Sequence, residues 1–254
     1  MPKWEAAVAT ENPKILYRIV QLLKELEMKF VICSPVDHRC EHAHVVISGP
    51  DDKSEHNLER VEVTEDFDPD LVRIKIMSKL YDLLNPSKAI IGIDPGMTFG
   101  VALVIDGVPV YTRSPTSPET VANLTRTLLE HANTLFPTSQ KLVRIGTGSR
   151  LYCALLLRSL KNSGLNLSIE LVNEHRTTTV GGAKSNESSA ILIAGRSGRT
   201  VSASDFSIEP KEGYVRSLKR YVNRLTRGKK VLTSNEAREL MVGESTLEDI
   251  IADS

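Results

Sequence analysis

Ala89-Ile-Ile-Gly-Ile-Asp-Pro-Gly-Met-Thr-Phe-Gly-Val-Ala-Leu-Val-Ile-Asp-Gly-Val-Pro-Val-Tyr-Thr112 is the stretch that decides how the chain folds. From Ala89 to Asp94 it is almost continuously apolar, as in a strand buried on both faces. Pro95-Gly96-Met97-Thr98 turns the chain, Phe99 to Ile105 returns as a second apolar run, and Asp106-Gly107 separates that run from Val108–Thr112. Asp-Gly between two apolar runs is a strong hairpin signal. The stretch therefore predicts three antiparallel strands, the first of them central and ending on a carboxylate.

Downstream, Ser117-Pro118-Glu119 offers an N-cap, a first-turn proline and a first-turn carboxylate to a helix with Val121, Leu124, Leu128 and Leu135 on its apolar face. A strand over Lys141–Gly146, a helix from about Leu151 to Asn162, a strand over Ser168–Val172 and a helix from Ala183 to about Gly195 follow. The order β-β-β-α-β-α-β-α predicts a mixed sheet in which antiparallel strands precede parallel ones joined by crossover helices, a ribonuclease H-like arrangement. Upstream, a short strand over Glu5–Thr10 and a helix from Asn12-Pro13 through Lys29 precede apolar stretches at Phe30–Cys33, Val45–Ile47 and Val61–Val63. A helix from Pro69 to Leu84 closes this part. With Asn85-Pro86-Ser87 as a breaker, the expected organisation is a small α/β domain at 1–86, the ribonuclease H-like domain at 87–200 and a helical tail at 201–254.

The 254 residues carry 32 basic and 32 acidic side chains, and this neutrality is a cancellation. Residues 1–86 are net −5, 87–195 net +3, 196–230 net +7 and 231–254 net −5. A local excess of +7 is what phosphate backbones select. Ordinary apolar content excludes a mostly disordered chain, and no apolar run approaches the roughly 18 residues of a membrane span. The start of the chain has no apolar leader segment, and Cys33, Cys40 and Cys153 are too few and too scattered for a disulfide framework. A soluble protein of a reducing cytoplasm is expected.

Three carboxylates are the candidate catalytic and metal-binding residues: Asp94 at the end of the first central strand, Glu174 at the end of the last, and Glu187 at the start of the closing helix. Strand ends of this topology lie near one another, and converging carboxylates repel unless their protonation shifts or a cation sits among them. Hard oxygen ligands select Mg²⁺ or Mn²⁺, which suit phosphodiester displacement.

Ile91-Gly-Ile-Asp-Pro-Gly-Met-Thr-Phe-Gly-Val-Ala-Leu-Val104 resembles the opening strand pair of RuvC/YqgF-type nucleases. Val172-Asn-Glu-His-Arg-Thr-Thr178 is similar to their D-E-R-x-[ST]-T segment, and Lys184-Ser-Asn-Glu-Ser-Ser-Ala-Ile-Leu-Ile193 to their closing helix; the likeness covers residues 88–196. It implies a metal-dependent nuclease with Asp94 and Glu174 as ligands. Asn173 and Asn186 stand where the family has aspartates, so the third ligand would have to be Glu187, about 100° around the helix.

Gly146-Thr147-Gly148-Ser149 could receive a phosphate between strand and helix, and Lys184 could touch one. His175 reads as a loop histidine. Cys40-x-His42-x-His44 would suit Zn²⁺ if extended, but its spacing matches no zinc module and a solvated loop is expected. Residues 211–230 form an amphipathic helix with Val215, Leu218, Val222 and Leu225 on one face. Arg216, Lys219, Arg220, Arg224 and Arg227 surround that face, and Tyr214 and Tyr221 offer stacking surfaces. Thr233–Glu236 and Ser245–Glu248 are capping-box patterns for two short helices.

The leading expectation is a Mg²⁺- or Mn²⁺-dependent nuclease for branched DNA or structured RNA, with a homodimer possible. The alternative is a nucleic-acid-binding module on the same fold without cleavage. A third reading, an actin-like ATPase or sugar kinase, comes from the likeness of Gly92–Thr98 to that superfamily's first phosphate loop, but such proteins need two such domains and the length supplies one.

Overall fold

A computed structural model describes residues 3–52, 58–165, 168–173 and 185–252. The chain divides into two compact units, Met1–Pro86 and Ser87–Ser254.

In the first unit, β1 (Trp4–Val8), β2 (Phe30–Ile32), β3 (Ala43–Ser48) and β4 (Glu59–Glu62) form a parallel sheet in the order β2-β1-β3-β4. Two helices, α1 (Pro13–Glu25) and α2 (Pro69–Leu80), start in the same way: Asn12 and Asp68 accept two backbone N–H bonds each, and a proline occupies the first turn. Strand alternation divides the core. Ala6, Val8, Val45, Ile47 and Val61 face Ile15, Ile19, Leu23, Val72 and Ile76 of the helices, while Ala7, Ala9 and Val46 face the other way with Cys33 and Cys40. That second face is covered by a single-turn helix, His38–His42.

Cys33 and Cys40 are joined by a disulfide with Cα atoms 6.1 Å apart, so the cysteines no longer argue for a reducing compartment. β2 ends beside the single-turn helix, which brings two residues seven apart in sequence within bonding range. The same helical turn removes the extended geometry on which a Cys40, His42 and His44 zinc site depended.

In the second unit, β5 (Lys88–Asp94), β6 (Gly100–Ile105) and β7 (Val108–Arg113) form the antiparallel meander, with Asp106 and Gly107 both at positive φ in the tight turn. α3 (Pro118–Leu135), β8 (Gln140–Gly146), α4 (Arg150–Asn162), β9 (Ile169–Val172) and α5 (Ser185–Ala194) follow. β8 and β9 add to β5 in parallel, and a short antiparallel β10 (Arg199–Thr200) completes the order β10-β9-β8-β5-β6-β7.

α5 lies directly on the sheet. A Cβ at Gly92 would come 2.1 Å from the Ala190 carbonyl oxygen, and one at Gly100 would come 1.9 Å from that of Asn186. Only glycine lets helix and strand backbones approach so closely. Ala102, Ala190 and Ala194 keep the seam thin, and Ile90 and Val104 fill it.

Among the described residues this unit also has a 3₁₀ turn, Ala203–Phe206, and the α-helices α6 (Glu212–Leu225), α7 (Ser234–Val242) and α8 (Leu247–Ala252). α7 has the Thr233–Glu236 capping box. For α8 the reciprocal pair is Thr246 with Asp249, one residue beyond the expected Ser245–Glu248 pattern, because the helix starts one position later. Arg158 of α4 donates to the carbonyls of Phe206, Leu240 and Met241, fixing the end of α7. Among the described residues no helix is long and apolar enough to cross a membrane.

Candidate functional site

Asp94 is the last residue of β5, half-buried, and its register partner on β6 is Gly100. Because Gly100 lies under the Asn186 carbonyl, the first turn of α5 crosses the sheet at the level of Asp94. Glu187 sits on that turn, half-buried, and its Oε1 accepts a bond from the Ser114 hydroxyl at 3.1 Å, just beyond the end of β7. Asp94 and Glu187 are thus brought to the same end of the sheet, with Glu187 engaged on the β7 side. Glu174, Lys184 and His175 lie outside the described residues. Among the described residues no group of three His, Cys, Asp or Glu side chains could hold a metal.

Thr147, following β8, donates both its N–H and its hydroxyl to the Val172 carbonyl, at 3.0 and 3.2 Å, so its hydroxyl joins the ends of β8 and β9. Ser149 occupies the N-cap position of α4 without a side-chain capping bond.

α6 supplies the basic surface. Val215, Leu218, Tyr221 and Val222 are buried, while Arg216, Arg220, Arg224 and Arg227 are exposed. Lys219 is half-buried and donates to the Ser234 hydroxyl at 3.0 Å, which assigns its amine to the α6–α7 seam. The helix is seated by aromatic packing: Tyr221 meets Tyr152 edge-on at 5.1 Å, and Tyr152 meets Phe99 edge-on at 6.2 Å. The Tyr221 hydroxyl donates to the Thr116 carbonyl at 2.8 Å. Burial, reinforced by Glu119 and the Tyr152 hydroxyl, raises the Tyr221 phenol far above its ordinary range and keeps it neutral. Burial also raises Tyr152, opposed by the positive charges of Arg220 and Arg224.

Tyr221 is therefore a core residue and offers no stacking surface, contrary to the expectation from its position beside the arginines. Arg224, in the last turn of α6, donates through Nη2 to the Thr98 hydroxyl at 3.1 Å. That contact docks the basic helix on the loop that follows Asp94. It joins residues 126 positions apart in sequence, beyond the reach of any local motif.

The first unit has a site of its own geometry. In the order β2-β1-β3-β4 the chain reverses direction across the sheet between β1 and β3, and the carboxyl ends at such a point form the usual ligand crevice. Here the crevice is filled from within. Asp52 accepts from the backbone N–H groups of Gly49 and Glu11 at 2.7 and 3.1 Å, and Arg60 donates to the Ser48 hydroxyl and to the Gly49 and Asp52 carbonyls. Burial works to raise the Asp52 carboxyl, but bonds from Thr10, Glu11 and Gly49 hold it below its ordinary value.

Residues 6–76 match the family model of a response regulator receiver-like domain. No curated protein matches the chain at a significant level. The match corrects the likeness drawn from residues 88–196: the domain type found is receiver-like, lies in the first unit, and is not a RuvC/YqgF nuclease. The glycines that carried the likeness have a packing cause, since Gly92 and Gly100 are where α5 rests on the sheet. In the first unit the sequence shows the strands and the two long helices without the family, but not the single-turn helix His38–His42, which stands in place of the expected solvated loop. The signal was the alternation of apolar strands with the Asn12-Pro13 and Asp68-Pro69 helix starts.

Proposed function

We propose that the Ser87–Ser254 unit, read as a ribonuclease H-like sheet, binds the backbone of a nucleic acid, branched DNA or structured RNA, along α6. The observation that carries this reading is the Arg224–Thr98 contact, which holds an exposed row of guanidinium groups against the loop after Asp94. Guanidinium groups pair with phosphate bidentately, and each phosphate neutralised releases counterions. Engagement of Arg216, Arg220 and Arg224 gives a dependence of log K on log salt with a slope of about −2 to −3. The test is binding of labelled junction DNA and hairpin RNA by the full chain across a salt series. A slope flattened by about 2 in Arg216→Gln/Arg220→Gln supports the reading, and an unchanged slope refutes it.

A second reading adds cleavage, and it is favoured by the first turn of α5 crossing the sheet at the level of Asp94. Asp94 and Glu187 would be its ligands for Mg²⁺ or Mn²⁺, and among the described residues no third His, Cys, Asp or Glu side chain joins them. Incubation of the same substrates with Mg²⁺ or Mn²⁺, with Asp94→Asn as control, decides it. Products that vanish in the variant support cleavage at this sheet end. Binding without products leaves the unit a binding module.

A further inference from the structure

A cavity of about 550 Å³ lies at the carboxyl ends of β8 and β9, away from the arginine row of α6. Its volume falls within the roughly 300–1,000 Å³ of small-ligand sites and far exceeds what a single inorganic ion fills. One wall is built from a cluster of hydrogen bonds. Arg199 makes a bidentate pair with Asp205, with bonds of 2.7 and 2.5 Å, and Asp205 also accepts from the backbone N–H and hydroxyl of Ser202 at 2.8 and 2.7 Å. Gly198 lies so close to β9 that a Cβ there would meet the Leu171 carbonyl oxygen at 2.5 Å, which presses this wall onto the sheet.

The lining is divided by chemistry. Leu171, Cys153 and Ile208 are buried apolar groups on the inner side, while Asn173, Ser204 and Ser207 bring polar groups toward the mouth. Arg199 is committed to Asp205, which leaves Arg150 as the cationic lining residue with no ion pair among the described residues. A ligand fitting this division has one anionic group, a hydroxylated middle and a flat apolar body. A sugar phosphate lacks the apolar body, and an aliphatic acid lacks the polar middle.

We infer that this cavity binds a single nucleotide, with its phosphate on Arg150 and its base against Leu171 and Ile208. The choice of a nucleotide rests on the nucleic-acid reading of the same unit and deepens it. The nucleotide can be free or can be the terminal residue of a strand; the chemistry recognised is the same.

The experiment is calorimetric titration of the full chain with adenosine and uridine 5′-monophosphates, ribose 5-phosphate, orthophosphate and a 5′-phosphorylated tetranucleotide. Two variants accompany the wild type: Arg150→Gln, at an exposed position, and Ser207→Phe, which fills the mouth. Both nucleotides bind the wild type, and the two fragments bind at least about tenfold more weakly. Arg150→Gln costs about tenfold or more, as expected for a charge-assisted phosphate contact, and Ser207→Phe abolishes binding with the melting temperature kept. Tetranucleotide binding stronger than that of the mononucleotides assigns the cavity to a strand end, and the reverse assigns it to free nucleotide. No nucleotide heat at millimolar concentration, or binding indifferent to both variants, overturns the inference. Salt-sensitive junction binding through α6 is measured on the same samples. Its loss with nucleotide binding intact removes the backbone reading alone, and its presence without nucleotide binding removes the cavity alone.

Discussion

Replacing Gly92 by alanine puts a methyl carbon 2.1 Å from the Ala190 carbonyl oxygen and 2.8 Å from both the Ala194 N and Cβ. A carbon and a carbonyl oxygen normally come no closer than about 3.3 Å, so α5 has to move outward by about 1 Å. The helix cannot tilt away from this contact, because Ala190 and Ala194 are successive turns on the same seam and both are fully packed. Overpacking of this kind costs about 1–3 kcal/mol, and for a unit of this size each kcal/mol lowers the melting temperature by about 2–4 °C. Gly92→Ala is expected to melt about 2–12 °C lower, with faster hydrogen exchange in α5. Gly100→Ala is expected to cost less despite its 1.9 Å contact, because only the first turn at Asn186 has to yield. Gly213→Ala, where nothing lies within 4 Å of the added carbon, is the control and should be neutral or stabilising by about 0.5 kcal/mol. Unchanged melting and unchanged α5 protection in Gly92→Ala would refute the account of the seam.

Reduction of Cys33–Cys40 opens a loop whose ends are seven residues apart; the chain-entropy relation gives a loss of about 2–3 kcal/mol for the first unit, visible as a lower melting transition in reductant. The Asp205 carboxyl is held below its ordinary range first by the Arg199 guanidinium and then, against some burial, by Ser202. Its contribution to stability is therefore present above the usual aspartate value of about 4 and is lost as pH falls below it, and Asp205→Asn should flatten the acid limb of the unfolding curve. Tyr221→Phe leaves the Thr116 carbonyl without its 2.8 Å donor and should cost about 1 kcal/mol in denaturant melts, with the salt slope of nucleic-acid binding unchanged. Arg224→Gln should lower that slope by about 1 unit, measured by filter binding, with the melting temperature nearly unchanged.

The strands and helices were legible wherever local chemistry acts alone. Asp106-Gly107 named the hairpin, and Ser117-Pro118 named the start of α3. What the sequence hides is set by distance. The Arg199–Asp205 pair and β10 depend on a two-residue strand that has no period to read. The Cys33–Cys40 bond depends on a single turn of helix bringing two strand-flanking segments together. Tyr221 looks like an exposed aromatic among arginines until Thr116, far away in sequence, takes its hydroxyl. The motif around Asp94 resembles a catalytic one, whereas two of its glycines are accounted for by helix packing, and the family match falls on the other unit.

Asp106, at the hairpin tip between β6 and β7, accepts bonds from the Ser87 N–H, the Ser87 hydroxyl and the Lys88 N–H at 2.8, 2.8 and 2.9 Å. These are the first residues of the second unit, so the tip grips the chain where it enters. A mechanical load applied at Pro86 meets this clasp before it reaches the sheet. Behind the clasp, β5 is held between β6 and β8, and drawing it out lengthwise loads both hydrogen-bond ladders in shear. Tension arriving from upstream therefore has to part these three bonds before it loads β5, the strand that carries Asp94 at its far end.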